Sequence, residues 1–543
     1  MKPPRLPVRL GLGLLLGALP ALAFHPLDFW PLMAVGLAPT FVVARRWQGR
    51  GLGALFFAFG LGYMSVGCAW LYGLFWIAGF LMALGCAVVF YLPYGWLFGM
   101  LLRRTPYPLI LVAPVSWIAL DWTRHWLLTG FPWLLPGHVL WHDSFLLGVT
   151  AFVGVHGLSL MLLATNAALA AWILRERRRL SAITAAATVA VGLVLGAFGR
   201  VSEETAASGP VVRIAAIQGN IAQDIKERAL LSGETSPEQF VWDRHLALTE
   251  EAVAERPDLI IWPETTLPGY ADLDRASGSR WARATQARLA EIADVARGIP
   301  VLVGAIRVEP PDAAGLKPRQ YNAAILVGPG GAVLGRYDKV HTVPGGEYLP
   351  LRPLLPNAFM RWVERTVEEM AGFVPSMRPG ERLEPIAVPG DPPFTVGPLI
   401  CYEIIYPSLA RAHASQGARL LVNLTNYAWF GTSAQLDQAL AISVFRAVET
   451  RRPVVIAANT GISAWIDVRG RPHPLVVDGR RKEVEGVLLA EIPIGDAGTT
   501  PYLAVGDLLA WLAASLTGAG LVVATRRRSG RSDARGGGPS GPE

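Results

Sequence analysis

The stretch Leu259-Ile260-Ile261-Trp262-Pro263-Glu264-Thr265 joins a short apolar run to a carboxylate at its end. A second stretch, Val396-Gly397-Pro398-Leu399-Ile400-Cys401-Tyr402-Glu403, has the same form with a thiol in place of the carboxylate. Short apolar runs separated by helical patterns predict strands buried on both faces. Residues that directly follow such strands commonly carry catalysis. We therefore expect Glu264 and Cys401 to meet at the strand ends of one domain.

Further runs of both kinds fill the segment around these two stretches. Strand-like runs occupy 211–217, 300–306, 323–327, 419–423 and 453–457, and helical patterns occupy 236–254, 278–297, 407–415 and 433–449. Alternation of strands with helices predicts an α/β or α+β domain with its own core. We place this domain at residues 201–500.

The sequence outside this segment is apolar enough to predict a membrane domain. Hydrophobic residues form 52% of the 543 residues and charged residues only 17%, unlike an average soluble protein. A spanning helix needs about 20 mostly apolar residues. Eight stretches approach that length, although seven or nine spans stay open because the third and fourth nearly join: 9–25, 29–44, 52–72, 76–101, 107–122, 146–174, 181–199 and 502–524. The predicted fold is a polytopic α-helical domain with the α/β domain inserted before its last span.

Basic clusters predict the orientation of these spans. Cytoplasmic loops are enriched in Lys and Arg. With a cytoplasmic N-terminus and eight spans, the cytoplasmic segments hold the basic clusters Arg45-Arg46, Arg103-Arg104, Arg175–Arg179 and Arg526–Arg528. The domain 201–500 then faces the extracytoplasmic side. Residues 1–200 form the first seven spans, 501–525 form the eighth, and 526–543 form a cytoplasmic tail that we expect to be disordered.

Charge and cysteine content exclude several classes of function. The net charge of +7 comes largely from clusters beside apolar runs, which argues against nucleic-acid binding. Cys68 and Cys86 lie within apolar stretches and Cys401 stands alone in the polar domain. This spacing predicts neither a disulfide framework nor a metal site, and we expect no cofactor.

Three residue types in the polar domain suit acyl transfer through a thioester. Glu264 is a candidate base, Cys401 a candidate nucleophile, and Lys339 in Arg336-Tyr337-Asp338-Lys339 a candidate stabiliser of an oxyanion. Glu347 in Gly345-Gly346-Glu347-Tyr348 is a further carboxylate that could orient Lys339. A pair of Cys401 with His341 is the rival assignment.

The joint occurrence of these strings resembles the nitrilase superfamily, and most closely its membrane branch, the apolipoprotein N-acyltransferases. The resemblance covers nearly the whole chain. The matching strings are Phe24-His25-Pro26-Leu27-Asp28-Phe29-Trp30-Pro31, Thr129-Gly130-Phe131-Pro132-Trp133, Gln218-Gly219-Asn220-Ile221, Trp262-Pro263-Glu264-Thr265, Gly346-Glu347-Tyr348, Cys401-Tyr402-Glu403, Ala428-Trp429-Phe430-Gly431 and Ala458-Asn459-Thr460-Gly461.

The resemblance implies an α-β-β-α sandwich on a helical membrane base in the inner membrane of a bacterium, with the catalytic domain in the periplasm. It implies a monomer that transfers an acyl chain from a phospholipid to the N-terminal cysteine α-amine of a diacylglyceryl apolipoprotein. It also implies the following roles: Glu264, Lys339 and Cys401 catalytic; Glu347, Tyr402 and Glu403 supporting; Trp262, Trp429 and Phe430 substrate-binding.

Some positions depart from the usual pattern of the family. They are Gly345, Tyr427, Ala439, Ile456 and Glu227. All lie outside the three candidate catalytic residues, so they bear on substrate choice and rate. They leave open whether this chain is a specialised paralogue.

Two other functions compete with acyl transfer. One is a membrane-anchored amidase or hydrolase of the nitrilase type, with water as the acceptor. The other is a non-enzymatic membrane protein that binds or moves lipids. A pocket that excludes water favours the transferase over the hydrolase.

Overall fold

The computed structural model describes residues 2–74, 76–206, 209–221, 236–309, 318–349, 356–371, 376–495 and 498–536. The chain divides into two compact units. The first unit contains Met1–Ser202, Ser433–Glu449 and Thr500–Glu543, and the second contains Glu203–Thr432 and Thr450–Thr499. Glu227 lies outside the described residues.

The first unit is built from helices. They are α1 Leu6–Ala21, α2 Pro31–Gly36, α3 Ala38–Arg46, α4 Leu52–Gly67, α5 Trp70–Leu74, α6 Trp76–Cys86, α7 Leu92–Arg104, α8 Leu109–Thr123, α9 Ser144–Leu147, α10 Thr150–Ile173 and α11 Arg178–Ala206. A π-helical turn, Ala87–Tyr91, connects α6 to α7.

Four helical stretches among the described residues are long and apolar enough to cross a membrane. They are Gly79–Arg104, Thr150–Ile173, Arg178–Arg200 and Leu508–Arg526, and the shorter apolar helices are Leu6–Ala21, Leu52–Gly67 and Leu109–Thr123. The predicted span 29–44 is instead divided into α2 and α3, each with a proline in its first turn. Proline favours the start of a helix over its interior, which explains the division.

The second unit contains helices α12 Pro237–Ala254, α13 Arg280–Val295, α14 Asn357–Ala371 and α15 Pro407–Ser415. Its strands are β1 Val211–Gln218, β2 Leu259–Ile261, β3 Leu267–Ala271, β4 Val301–Glu309, β5 Arg319–Val327, β6 Val333–Asp338, β7 Ile386–Val388, β8 Phe394–Ile400, β9 Leu420–Thr425, β10 Val454–Ala458, β11 Ala464–Ile466, β12 Pro472–Pro474 and β13 Gly486–Pro493. Most predicted strands and helices of this segment lie within a few residues of their observed bounds.

These strands form two sheets that share one core. The first sheet has the order β13-β1-β2-β4-β5-β6, with β3 beside β4, and the second has the order β12-β11-β10-β9-β8-β7. Successive side chains of a strand point to opposite faces. In β1, Ile214 and Ala216 accordingly join the core between the sheets, whereas Ala215 and Ile217 pack against α12 and α13. Helix α15 packs on β8 and β9 of the second sheet.

Helix α16, Ala434–Thr450, connects β9 to β10 but groups with the first unit. Its buried Gln438 accepts hydrogen bonds at Oε1 from the indole nitrogens of Trp133 (2.6 Å) and Trp70 (3.0 Å). Its Nε2 donates to the carbonyls of His25 and Gly67, both at 2.9 Å. The pattern 433–449 predicts this helix, and the hydrogen bonds of Gln438 join it to other segments of the first unit.

The last helices are α17 Pro501–Val505 and α18 Leu508–Gly536. Residues 529–536, expected to be disordered, continue α18, and 537–543 lie outside the described residues. Arginine is a good helix former and the first proline after residue 501 is Pro539, so the local sequence does not stop the helix.

Candidate active site

The three candidate catalytic residues follow strands of both sheets. Glu264 comes shortly after β2, Lys339 directly after β6, and Cys401 directly after β8. Cys401 also begins a 3₁₀ turn, Cys401–Ile405, with φ of +52°. A left-handed backbone at a residue other than glycine costs energy and is concentrated at functional sites. The sharp turn from strand to 3₁₀ helix thus presents Cys401 at the end of β8.

Lys339 is buried between two carboxylates. Its Nζ lies 3.0 Å from Glu347 Oε1 and 3.8 Å from Glu264 Oε1. Burial by itself lowers the pKa of Lys339, but the charges of Glu347 and Glu264 outweigh it and raise that pKa. The ammonium therefore stays charged at neutral pH.

Glu264 is a buried carboxylate held by hydrogen bonds at both oxygens. Asn322 donates from Nδ2 to Oε1 at 2.7 Å, and the backbone N–H of Asn426 donates to Oε2 at 2.9 Å. Burial raises the pKa of Glu264, and Lys339 opposes this while Glu347 adds to it. A carboxylate with a raised pKa is a better proton acceptor than an exposed one.

Cys401 is half-buried. Burial and the charge of Glu264 raise the pKa of the thiol to about 12, whereas Lys339 and the Thr425 hydroxyl lower it. The sulfur therefore carries its proton at neutral pH. A base must take that proton as the sulfur attacks, and Glu264, whose charge acts on the thiol, is the candidate carboxylate for this task.

Glu347 also organises the loop that follows Lys339. Its Oε1 accepts from Asn322 Nδ2 at 2.7 Å in addition to Lys339, and its Oε2 accepts from the backbone N–H of Val343 at 2.8 Å. Burial raises the pKa of Glu347, but the charge of Lys339 and these hydrogen bonds lower it overall. Glu347 thus remains a charged partner for Lys339.

Glu403 joins the cysteine turn to the lysine loop. Its Oε2 accepts from the backbone N–H of Ile400 at 2.8 Å. Its Oε1 accepts from the Tyr337 hydroxyl (2.8 Å) and from the backbone N–H groups of Val340 (2.8 Å) and His341 (3.0 Å). Burial raises the pKa of Glu403 to about 7. The side chain fixes the two segments that flank Cys401 and Lys339.

Three polar residues that line this site had no predicted role: Asn322, Asn426 and Thr425. Asn322 lies within the apolar strand β5, where asparagine is disfavoured. An asparagine within an apolar strand could therefore have indicated a site residue. The backbone contact of Asn426 carries no such signal, because any residue other than proline supplies an N–H group. Asn426 is itself held by Asn459, which donates from Nδ2 to Asn426 Oδ1 at 3.2 Å.

The aromatic side chains near the cysteine turn pack on one another. The His341 ring lies 4.0 Å from that of Tyr406, and the Tyr402 ring lies 5.4 Å from Tyr406, both between centroids. The charges of Glu264, Lys339 and Glu347 act on the pKa of the Cys401 thiol. Glu264 therefore stays the candidate partner of the thiol, with His341 as the rival assignment.

The three aromatic residues predicted to bind substrate have different positions. Trp262 is fully buried in the core beside α12, where its indole nitrogen donates to Thr249 Oγ1 at 2.9 Å. Because Trp262 is fully buried, it offers no exposed surface to a substrate. Its packing instead stabilises the strand that positions Glu264. Trp429 and Phe430 form a short 3₁₀ turn, and Trp429 is 44% exposed.

The residues that depart from the family's usual pattern lie at different places in the structure. Tyr427 is buried near the site, and burial followed by the charge of Cys401 raises its pKa. Ile456 is buried on β10, Ala439 is buried on α16, and Gly345 has φ of +80°, a backbone region that favours glycine.

Known families and relatives match both parts of the chain. The carbon-nitrogen hydrolase family matches residues 213–502, which contain the site, and the apolipoprotein N-acyltransferase N-terminal domain matches residues 16–168. An apolipoprotein N-acyltransferase of Geobacter metallireducens is 32% identical over 95% of this chain and 95% of its own length. Another, of Methylococcus capsulatus, is 33% identical over 95% of this chain and 96% of its own length. The chain belongs to the apolipoprotein N-acyltransferase family.

Membership of the apolipoprotein N-acyltransferases confirms the family predicted from the motifs, together with a nitrilase-like fold and a membrane-associated N-terminal part. Among solved structures, an amidase from Nesterenkonia sp. is 21% identical, with a TM-score of 0.37, over 53% of this chain and 93% of that chain.

Proposed function

We propose that this protein transfers an acyl chain from a phospholipid to the α-amine of the lipidated N-terminal cysteine of an apolipoprotein, through a thioester on Cys401. The observation that carries the proposal is the shared electrostatic environment of Glu264, Lys339 and Cys401. A base, a fixed cation and a thiol in one buried site match the needs of acyl transfer.

The first half-reaction forms the thioester. Glu264 takes the thiol proton while the Cys401 sulfur attacks the ester carbonyl carbon of the phospholipid. Lys339 and the backbone N–H of Tyr402 stabilise the tetrahedral oxyanion. When the carbon–oxygen bond of the ester breaks, Glu264 returns the proton to the departing oxygen, and a lysophospholipid leaves.

The second half-reaction uses the same groups in the reverse sense. The acceptor amine attacks the thioester carbonyl and gives a proton to Glu264. The carbon–sulfur bond then breaks, the amide leaves, and the thiol regains its proton. Glu403 and Glu347 keep the two loops in place through both steps, as supporting residues. Trp429 and Phe430 are candidate substrate contacts because their turn reaches the surface.

The membrane setting supports this pair of substrates. Both carry acyl chains, and moving each CH₂ group from the bilayer into water costs about 0.8 kcal/mol. We assign eight spans, with the catalytic domain 201–500 inserted before the last, to the bacterial inner membrane. The basic clusters support a periplasmic position for that domain. We propose a monomer as the active form, because the three candidate catalytic residues come from one chain.

Mass spectrometry of the full-length protein tests the proposal. Incubation with a phospholipid of known acyl mass should add one acyl group to the peptide that contains Cys401 and release one lysophospholipid. A lipidated Cys-terminal peptide should then remove that mass and gain it as an amide. Cys401→Ala should form no adduct, whereas Cys86→Ala, which changes a buried thiol of the first unit, should still form it.

Two results would contradict this function. Release of free fatty acid at the same rate with and without the acceptor peptide would indicate a hydrolase. Unchanged peptide acylation by Cys401→Ala would remove the cysteine from the chemistry and favour a lipid-binding protein.

A further inference from the structure

An apolar groove lies within the first unit. It has a volume of about 320 Å³ and lies between α7, α8 and α18, with Phe90, Leu97, Leu120 and Leu521 among its lining residues. The π-helical turn before α7 contributes to one wall. Such turns interrupt the regular helix surface and often occur at functional sites.

The polar atoms in the groove wall are already bonded within the protein. The hydroxyls of Ser116, Thr123 and Thr517 donate to backbone carbonyls of their own helices at 2.7–2.8 Å. The Tyr94 hydroxyl lies 3.2 Å from that of Ser116. These hydroxyl groups therefore need no hydrogen bond from a bound molecule. Such a groove suits a hydrocarbon chain and not a polar ligand.

The groove runs between two chemically different ends. Near the lining residues Thr123 and Ala514, the rings of Trp122 and Trp511 lie 4.3 Å apart between centroids. At the other end a Cβ on Gly520 would lie 3.0 Å from Leu101 Cδ2, so the last turn of α7 lies beside Gly520, within α18. Along α18, Ala514 to Leu521 covers about 10 Å at 1.5 Å per residue. This length accommodates part of an acyl chain.

Positive charge gathers at the end near Leu101. Arg103 and Arg104 close α7 and Arg526 lies just beyond Leu521, so all three belong to that end. Arg103 also lies within electrostatic reach of Arg104 and Arg50. Like charges that crowd together favour an anionic partner, and a phosphate at the membrane surface supplies one.

We propose that this groove binds an anionic phospholipid of the bilayer, with an acyl chain between α7, α8 and α18 and the phosphate at Arg103, Arg104 and Arg526. The site is distinct from the cysteine site, because none of Glu264, Lys339 and Cys401 lines it. Its lipid is a resident of the membrane unit and not the acyl donor.

Native mass spectrometry of the full-length protein tests this site. The probe is a diether phosphatidylglycerol, whose ether-linked chains cannot acylate Cys401, and the comparison lipid is diether phosphatidylcholine. The wild type should retain the anionic lipid in preference to the zwitterionic one. Arg103→Gln, Arg104→Gln and Arg526→Gln should each weaken retention about fivefold, as expected for one cation near a charged headgroup.

A groove-filling variant supplies the second arm. Gly518 lines the groove and has open space around the position of a Cβ, so Gly518→Leu should fill the groove without a clash. Gly11→Leu is the matched control, because Gly11 in α1 also has open space but lies outside the groove. We expect loss of one bound lipid in Gly518→Leu and no loss in Gly11→Leu.

Three outcomes would overturn the proposal. Equal lipid counts in the two glycine variants would show that the groove is empty or filled otherwise. Equal retention of the anionic and zwitterionic lipids would remove the role of the arginines. A dimer that forms in the wild type and disappears in Gly518→Leu would make a second copy of this chain the occupant.

Discussion

Lys339 donates a hydrogen bond from Nζ to Oε1 of Glu347 at 3.0 Å, closer than its 3.8 Å separation from Glu264. The lysine is therefore paired mainly with a carboxylate that takes no part in the proposed proton transfer. This arrangement leaves Glu264 free to accept a proton while Lys339 keeps its charge. Glu347 acts as the resting counter-ion of the site.

Replacement of this counter-ion should slow catalysis. In Glu347→Gln, Lys339 is expected to pair with Glu264 and make it a weaker base. A charge-assisted hydrogen bond is worth about 1.5–3 kcal/mol, so kcat should fall about 10- to 100-fold. Steady-state kcat with a fixed phospholipid and acceptor peptide measures this. Glu491→Gln, at an exposed position of β13, should leave kcat unchanged; a comparable loss there would argue against a specific role for Glu347.

The rate of thioester formation should depend on the ionisation of Glu264. Burial raises the pKa of Glu264 above its ordinary value of 4.5, and only the ionised form can take the thiol proton. The single-turnover rate should therefore fall as the pH decreases through that raised pKa. Because the thiol pKa is about 12, we expect free thiolate to cause no second increase in this rate between pH 7 and pH 10.

The direction in which a variant shifts the pKa of Glu264 gives a second test. Glu347 raises the pKa of Glu264, so Glu347→Gln should move the acid limb of the pH–rate profile to lower pH. An acid limb at pH 4.5 or below in the wild type would contradict the buried base. A shift to higher pH in the variant would contradict the assigned interaction.

Glu403→Gln should loosen both loops of the site. The amide nitrogen of glutamine cannot accept a hydrogen bond from the donors that Glu403 now satisfies, and an unmet buried donor costs about 1–3 kcal/mol. Hydrogen exchange should become faster at the amides of Ile400, Val340 and His341, and kcat should fall more than KM changes. Glu384→Gln, at an exposed position, is the control. If these amides kept their normal protection from exchange in Glu403→Gln, Glu403 would not hold the two loops together.

Two tryptophans separate stability from substrate contact. Trp262→Phe loses the hydrogen bond to Thr249 in the core, and we expect a loss of about 1–3 kcal/mol of stability with little change in KM. Trp429→Ala, at an exposed position, should raise KM without changing stability. Thermal unfolding and steady-state kinetics measure the two effects. If Trp262→Phe instead raised KM and Trp429→Ala instead lowered stability, Trp262 would be the residue that contacts substrate.

Local sequence patterns predicted the parts of this site that lie next to strand ends. Apolar runs before Glu264 and Cys401 fixed where β2 and β8 end, because the spacing of buried residues is a local property. The lysine was placed by its motif, since β6 itself has too few apolar residues to be recognised. The two-sheet arrangement came from family resemblance and not from periodicity.

The contacts between remote segments could not be read from local patterns. Glu403 bonds to backbone groups of residues 340 and 341, and a backbone N–H has no sequence signature. Trp262 follows a strand just as Glu264 does, yet one side chain turns into the core and the other into the site. That difference depends on the backbone path after β2. Helix α16 has the pattern of any amphipathic helix, so its membrane-unit partners required the structure.

Gln438 offers a final test, because a single side chain joins α16 to three other segments of the first unit. Gln438→Leu should leave two indole N–H groups and two carbonyls without a partner, at a cost of about 3 kcal/mol or more in total. Thermal unfolding in one detergent, followed by tryptophan fluorescence, should show a clear decrease in the unfolding temperature. Gln239→Leu, on α12 where the glutamine is exposed, should stay within about 0.5 kcal/mol of the wild type. Equal shifts in both variants would mean that loss of any glutamine has the same effect, and the buried position of Gln438 would then have no special weight.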